Sequence, residues 1–282
     1  MCGVWEAPVT AVERWGEDYG FLRVEAPELA ARCLPGQFVM AAPECSRSLP
    51  YPLLKRALAI YDIPESGTRY GWISLMVKAI GDGTQSLVSL REGDRLQLVG
   101  PLGNGFDLEA SQGRHCLLVA GGIGIASLLL VARRLVESGR EVTLLYGGRS
   151  RSDLVGLEDF KRLGVRCLVT TEDGSEGQRG RVTLALEEAL RQSGEDFFTY
   201  TCGPNPMMEA VSRINLERGI PGQLSVESKM ACGFGVCLGC TVLTTAGFRL
   251  ACTHGPVFSP EEFVWEGKGK LAQALLERGI SG

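Results

Sequence analysis

The chain has 282 residues, 45% hydrophobic and 22% charged, with a formal net charge of −4. That length suits two compact cores and an appendage, and the acidic balance argues against nucleic acid as a partner, which would call for a basic face. Residues 1–10 lack a basic stretch followed by an apolar core, and ten cysteines in such a chain point to metal or redox chemistry rather than a disulfide framework. The expected location is the cytoplasm.

The first hundred residues are short β-type runs broken by turn signals: 4–15, 21–25, 37–41, 57–62, 72–78 and 95–99. Antiparallel alternation with glycine and proline punctuation predicts a small barrel. Residues 84–90 read as one short helix, entered by Gly81-Asp82-Gly83. Two features invite an anion. Arg56 opens the strand R-A-L-A-I-Y and can offer a phosphate a bidentate contact. Gly83-Thr84 sits at the start of the short helix, where free N–H groups point outwards. Singly, each has a bland reading, a solvated arginine and an ordinary turn. Gly100-Pro101-Leu102-Gly103-Asn104-Gly105-Phe106 closes the barrel, and residues 107–114 form the linker.

From His115 the pattern changes. Residues 116–132 carry no charge, but Gly121, Gly122 and Gly124 interrupt the run, so it is read as buried strand, glycine turn and buried helix (125–138) rather than a membrane span. An apolar strand follows at 142–146. Strand, glycine turn, helix and strand make the unit of a parallel, doubly wound sheet. The turn Gly121-Gly122-Ile123-Gly124 is a candidate pyrophosphate cradle. It is not G-x-G-x-x-G, and Gly147-Gly148-Arg149-Ser150-Arg151 ends the second strand where an acidic residue would mark NAD; NAD and NADP both stay open. Further elements are strands at 166–170 and 197–202 and helices at 182–191 and 205–218, the last capped by Asn205 with Pro206 at its first position. The turns at 121–124, 147–151, 172–175 and 202–204 all fall at the carboxyl ends of strands, where ligands of such sheets bind.

Residues 227–256 carry the strongest signal. Cys232, Cys237, Cys240 and Cys252 have the spacing C-x4-C-x2-C-x11-C, whose first intervals are those of plant-type [2Fe-2S] ferredoxins. Gly233, Gly235 and Gly239 between them suit a loop whose backbone must approach sulfide closely. Residues 241–250 read as a hairpin returning the fourth thiolate to the other three. A structural zinc site is the bland alternative, but zinc prefers two C-x2-4-C knuckles and only Cys237 and Cys240 make one. Cys2, Cys33, Cys45, Cys116 and Cys167 are scattered singly and read as small apolar residues. His115 and His254 have no assignable carboxylate partner and read as surface or cluster-shielding groups. A short terminal helix is expected at 271–278.

Pro35-Gly36-Gln37-Phe38, Arg56-Ala57-Leu58-Ala59, Gly83-Thr84, Gly100-Pro101-Leu102-Gly103, Gly121-Gly122-Ile123-Gly124 and Cys202-Gly203-Pro204 together resemble the ferredoxin–NADP reductase superfamily. M-A-C-G-F-G-V-C-L-G-C followed by C-T-H-G-P-V-F is similar to one branch, the electron-transfer subunits of dihydroorotate dehydrogenase B. The resemblance covers nearly the whole chain. It implies an FAD-binding antiparallel β-barrel domain (1–106), an NAD-binding α/β domain with a doubly wound parallel sheet (113–224), and a small [2Fe-2S] domain with a C-terminal helix (225–282). It implies FAD held by Arg56, Ala57, Leu58 and Ala59, by Met76, Val77 and Lys78 on the adenosine side, and by Gly83 and Thr84 at the phosphates. Gly121, Gly122, Ile123, Gly124, Gly203 and Pro204 would bind NAD(H), with Cys202 at the reacting ring, and Cys232, Cys237, Cys240 and Cys252 would be the metal ligands. It implies an FMN-containing dihydroorotate dehydrogenase catalytic subunit as partner in a hetero-oligomer, a heterotetramer, with no membrane and no dihydroorotate site on this chain. One departure stands out: the family's flavin strand reads R-P-x-S, whereas Ala57 and Ala59 stand here, so one hydroxyl to the flavin is missing.

Two rival readings are a flavin subunit of an NADH-dependent ferredoxin:NADP oxidoreductase or cytoplasmic hydrogenase, which Arg149 and Arg151 keep open, and a zinc-bearing scaffold without redox chemistry. Physical chemistry favours electron transfer. NADH delivers electrons in pairs and an iron–sulfur cluster takes them singly, so a protein with both needs a flavin between them.

Overall fold

Period-2 alternation drives the first domain. In the computed structural model, which describes residues 2–16, 18–44, 54–63, 71–192 and 196–265, Leu22, Val24, Val39, Leu58, Ile60, Ile73, Leu75, Val77, Leu96 and Leu98 turn inward to one core. They lie on β1 (Gly3–Trp15), β2 (Tyr19–Glu25), β3 (Phe38–Pro43), β4 (Arg56–Asp62), β5 (Trp72–Lys78) and β6 (Arg95–Leu102). These strands close into an antiparallel barrel in the order β1-β2-β5-β4-β3-β6. The single turn α1 (Pro27–Ala30) plugs one end, and α2 (Asp82–Val88) follows β5. Sequence placed that helix two residues later, and it ended the last barrel strand at residue 99; β6 continues through Gly100-Pro101 to Leu102.

Outward-facing Phe21, Tyr61 and Met76 join a second core shared with the nucleotide domain. That domain comprises β7 (His115–Gly121), α3 (Leu129–Glu137), β8 (Val142–Gly148), α4 (Leu157–Arg162), β9 (Arg166–Thr171), β10 (Gln178–Arg179), α5 (Val182–Gln192), β11 (Phe197–Cys202), α6 (Asn205–Arg218) and β12 (Gly222–Ser225). Its sheet has the order β10-β9-β8-β7-β11-β12-β15, with β15 (Val257–Phe258) coming from later in the chain, and is parallel except for the last pair. Both faces are buried, which explains the continuous apolar strands. Leu118, Leu144 and Tyr146 pack towards α3 and α4, and Leu117, Val119 and Leu145 towards α5 and α6.

Three local expectations are corrected. Residues 122–127 form 3-10 turns, and the α-helix starts only at Leu129, because Gly122 takes a positive φ of 50° and Gly124 lies against the Cys202 carbonyl. Asn205 does not cap α6: Pro204 holds the cap position, and Asn205 is already helical with Pro206 second. A strand absent from the sequence reading, β12, pairs with β11 and is itself joined antiparallel by β15 (Val257–Phe258).

The cysteine-bearing segment carries the hairpin β13 (Thr241–Thr244) and β14 (Gly247–Leu250). It wedges between the two domains through a third core that draws Phe38, Met40 and Leu102 from the barrel and Met208, Leu224 and Val226 from the nucleotide domain. Among the described residues no helix is long and apolar enough to cross a membrane. Cys45 and the expected helix at 271–278 lie outside the described residues.

Candidate functional site

Three turns and two domains meet in a row of sites. The hairpin explains the first. Cys240 immediately precedes β13 and Cys252 follows β14 by two residues, so strand pairing brings these distant positions together, and the Ala251 N–H donates to the Cys240 carbonyl at 3.0 Å. Cys240 and Cys252 are buried, while Cys237 is exposed. Positive φ at Gly233 (85°), Gly235 (88°) and Leu238 (59°) curls the loop so that its N–H groups face sulfur. Burial opposes ionisation of Cys232, but N–H groups of Cys237, Phe234 and Val236 outweigh it and lower the thiol to about 6. The Cys237 N–H reaches the Cys232 sulfur at 3.4 Å.

A loop with the spacing C-x4-C-x2-C, its N–H groups turned to sulfur and Cys252 returned by the hairpin, fits a two-iron cluster better than zinc, which prefers two C-x2-4-C knuckles. Phe234 (52% exposed), Val236 (73%) and Leu238 (62%) make an apolar rim around the exposed thiol of Cys237 in the chain.

The second site is a cavity of about 470 Å³ between barrel, nucleotide domain and cysteine segment. Ala57, Leu58 and Ala59 of β4, Met76 and Lys78 of β5, and Thr84 of α2 line it on the barrel side. Ile123, Ser127 and Cys202 face them, and the segment from Ser225 to Met230 forms the remaining wall. Arg56 lies at the entrance to β4 with its guanidinium directly over Gly83, where a Cβ would collide with it, so the two phosphate candidates form one feature. The Arg56 guanidinium also donates to the Leu54 carbonyl at 2.5 Å. Val77 departs from expectation: its side chain is fully buried in the barrel core, and only its neighbours Met76 and Lys78 face the cavity.

The third is a cavity of about 640 Å³ over the carboxyl ends of the parallel strands. Gly121, Gly122, Ile123, Gly147, Gly148, Arg149, Glu172 and Pro204 line it, as the order of turns predicted. Gly124 and Gly203 instead serve close packing. A Cβ at Gly124 would strike the Cys202 carbonyl, and one at Gly203 would strike Met207 and the Gly121 backbone.

Cys202 opens onto the second cavity, not the third. Its sulfur lies 3.5 Å from the Ser127 hydroxyl, and burial raises the thiol to about 12, so it is a neutral group. Lys78, Ile123 and Glu227 line both cavities. Lys78 pairs with Asp153 at 3.1 Å, and Asp153 also accepts from the Tyr19 hydroxyl at 3.2 Å. Burial alone would lower the Lys78 ammonium, but Tyr19 and Asp153 raise it above its ordinary value. Burial raises the Glu227 carboxyl. Sequence reasoning passed over Glu227 and Asp153. The available signal for Glu227 was its place two residues past the end of β12, at the carboxyl edge of the sheet, but that strand is too short to recognise.

His254 accepts the Leu250 N–H at 3.3 Å through Nδ1, beside Cys252. His115 sits at the opposite end of the sheet, with Nε2 2.9 Å from the Thr143 hydroxyl. Contrary to expectation it does have a carboxylate neighbour, Glu141, at 3.8 Å.

Residues 227–264 match the family described as the iron-sulfur cluster binding domain of dihydroorotate dehydrogenase B, and residues 118–213 match the oxidoreductase NAD-binding domain. The chain is 32% identical to the electron transfer subunit of dihydroorotate dehydrogenase B (NAD(+)) from Desulforamulus reducens, over 94% of this chain and 100% of that one. It is 38% identical to the same subunit from Shouchella clausii, over 82% and 86% of the two chains. Among solved structures, an NADH-dependent reduced ferredoxin-NADP oxidoreductase superposes with a TM-score of 0.80 at 30% identity, covering 95% of this chain and 93% of that one. A ferredoxin reductase of carbazole 1,9a-dioxygenase superposes with a TM-score of 0.64 at 26% identity, over 78% and 67%.

Proposed function

Because the chain belongs to the family of electron-transfer subunits of dihydroorotate dehydrogenase B (NAD(+)), we propose that it links a dihydroorotate-oxidising partner subunit to NAD+ in pyrimidine biosynthesis. FAD, a [2Fe-2S] cluster and NAD(H) are its cofactors and co-substrate. The flavin supplies the exchange between paired and single electrons that nicotinamide and iron–sulfur chemistry require. The observation that carries the reading is the row of sites: the nicotinamide and flavin cavities share Lys78, Ile123 and Glu227, and the flavin wall runs on through Met230 to Cys232.

Each residue then has a task. Cys232, Cys237, Cys240 and Cys252 hold the metal, with loop N–H groups stabilising thiolate. Arg56, over Gly83, meets the flavin pyrophosphate beside Thr84. Ala57, Leu58, Ala59 and Met76 shape an apolar flavin bed, and the absent hydroxyl at Ala59 leaves that face without a donor. Lys78 stays charged between the two cavities. Gly121, Gly122, Ile123 and Pro204 bind the dinucleotide, with Gly124 and Gly203 keeping the turns close. The buried thiol of Cys202 contacts the flavin side as a neutral positioning group.

The partner we propose is an FMN-containing catalytic subunit in a cytoplasmic heterotetramer. The apolar rim of Phe234, Val236 and Leu238 is its docking surface. The likeness to the ferredoxin-NADP oxidoreductase supports a second reading, in which the partner is a large iron–sulfur subunit. Co-purification separates the two. Dihydroorotate-driven NAD+ reduction should need this chain, and Cys237→Ser should abolish it while dihydroorotate oxidation by an artificial acceptor continues. Full-rate NAD+ reduction in Cys237→Ser would refute the proposed route.

A further inference from the structure

A cleft of about 800 Å³ shares no lining residue with the flavin and nicotinamide cavities. It lies in the seam between the outer face of β2 and β5 and the helices α3 and α4. The seam is pinned by polar contacts. Arg133 donates to both Asp62 oxygens at 2.9 and 2.6 Å, and the Tyr61 hydroxyl donates to Asp159 at 2.5 Å.

Its barrel wall is aromatic. Trp15 stacks on Phe21 at 5.7 Å and 29°, and Phe21 meets Tyr61 edge-on at 5.8 Å. Arg23 lies over the Trp72 ring at 4.1 Å. Arg23 and Ser74 are directly opposite each other on adjacent strands. Because Leu22, Val24, Ile73 and Leu75 fill the barrel interior, alternation turns Arg23 and Ser74 outward into the cleft.

Both carry unmet polar atoms. The hydroxyl of Ser74, a residue with 0% exposure, and Nε of Arg23 are buried without a hydrogen-bond partner. Buried polar groups are nearly always satisfied, so an unmet pair side by side asks for an occupant. The other cations on the walls are neutralised: Arg133 by Asp62, Arg151 by Glu176, Lys161 by Glu158 and Arg162 by Asp159. Among the described residues no carboxylate pairs with Arg23. A water could bond Ser74, but it would leave the Arg23 guanidinium with the Trp72 ring and no anion.

We propose that this cleft is a second small-molecule site, taking a planar heteroaromatic anion with its ring against Trp15 and its anionic group on Arg23 and Ser74. Arginine suits carboxylate and phosphate alike through paired N–H groups. A ring carboxylate and a mononucleotide share that chemistry, and the experiment distinguishes them. The proposal stands apart from the electron route, so failure of one leaves the other intact.

The test uses the full-length chain with its FAD, in saturating NAD+ so that the nicotinamide cavity is filled. Orotate and uridine 5′-monophosphate are the probes, followed by equilibrium dialysis and by quenching of tryptophan emission. At least one should bind at one site per chain, the carboxylate or the phosphate arm naming the source. Arg23→Leu should weaken binding at least tenfold, and Ser74→Ala should weaken it measurably, with FAD content and NADH-driven dye reduction unchanged. Ser74→Ala keeps the test standing if Arg23→Leu folds poorly. Absence of binding by both probes, or wild-type affinity in both variants, would overturn the proposal.

Discussion

Replacing Gly83 by alanine tests the flavin reading most sharply, because its structural and functional effects have opposite signs. The three atoms nearest a Cβ at Gly83 all belong to the Arg56 guanidinium. The clash is with the far end of a flexible side chain, which can swing aside at little cost. Gly83 sits inside α2 without a positive φ, so alanine should stabilise the unliganded protein by up to about 0.5–1 kcal/mol. The displaced guanidinium, however, no longer meets the pyrophosphate. A hydrogen bond to a charged group is worth about 1.5–3 kcal/mol, so FAD should bind about tenfold to 150-fold more weakly. Titration of the apoprotein with FAD, followed by flavin fluorescence, gives the affinity; thermal melts with and without FAD give the stability. Arg56→Ala should lose a similar amount, and the double variant should lose no more than Arg56→Ala alone. Wild-type FAD affinity in Gly83→Ala, or full additivity of the two changes, would refute the placement of the phosphate beneath Arg56.

Three further outcomes follow from the geometry. Phe234→Glu or Val236→Glu places charge in the apolar rim and should weaken the complex with the catalytic subunit by at least about tenfold, or 1.4 kcal/mol; iron content should be unchanged, and unaltered affinity would remove the rim from the interface. Cys202, raised to about 12 by burial, has a thiolate fraction of roughly one in ten thousand at pH 8. Mass spectrometry should find it unlabelled by iodoacetamide in the native chain and labelled once unfolded, and rapid native labelling would contradict the buried neutral thiol. Burial would raise Asp153, but Lys78 outweighs it and holds the carboxyl below its ordinary value. The pair therefore contributes stability in full above about pH 4–5 and loses it as pH falls through the lowered folded value. Asp153→Asn should flatten that acid limb in denaturant titrations; an unchanged acid limb would show that the pair does not link the domains.

What the sequence revealed depended on whether a signal was local. Thiolate spacing is set by coordination chemistry, so Cys232, Cys237, Cys240 and Cys252 could be singled out before any fold was known. Strands buried on both faces, such as β7 and β8, announce themselves by continuous apolar runs. The strand β12, Gly-Gln-Leu-Ser, has one large apolar side chain, and it is a strand only because β11 lies beside it. Glu227 was missed with it. The late start of α3 reflects backbone packing of Gly124 against Cys202, some eighty residues away in the chain, which no local pattern encodes. Val77 is different: period 2 already put it opposite Met76 and Lys78, and grouping all three as flavin contacts overlooked a signal that was present.

The cysteine segment is fixed in a way that gives its four thiols unequal surroundings. Gly233 presses on Met40, and Gly103 on Pro256, so tightly that neither tolerates a Cβ. Asn104 donates from its backbone to the Gly255 carbonyl at 2.6 Å and from its amide to the His254 carbonyl at 2.8 Å. Cys240 and Cys252 share an apolar core with Phe38, which also lines the flavin cavity. Cys237 is exposed beside the rim of Phe234, Val236 and Leu238. Cys240 and Cys252 are thus held in a core that reaches the barrel, while Cys237 opens to solvent. Electron exchange between two polypeptides needs such a polarity, because one edge must be immobile relative to the flavin and the other accessible to a partner. A site built only to staple the fold would gain by burying all four.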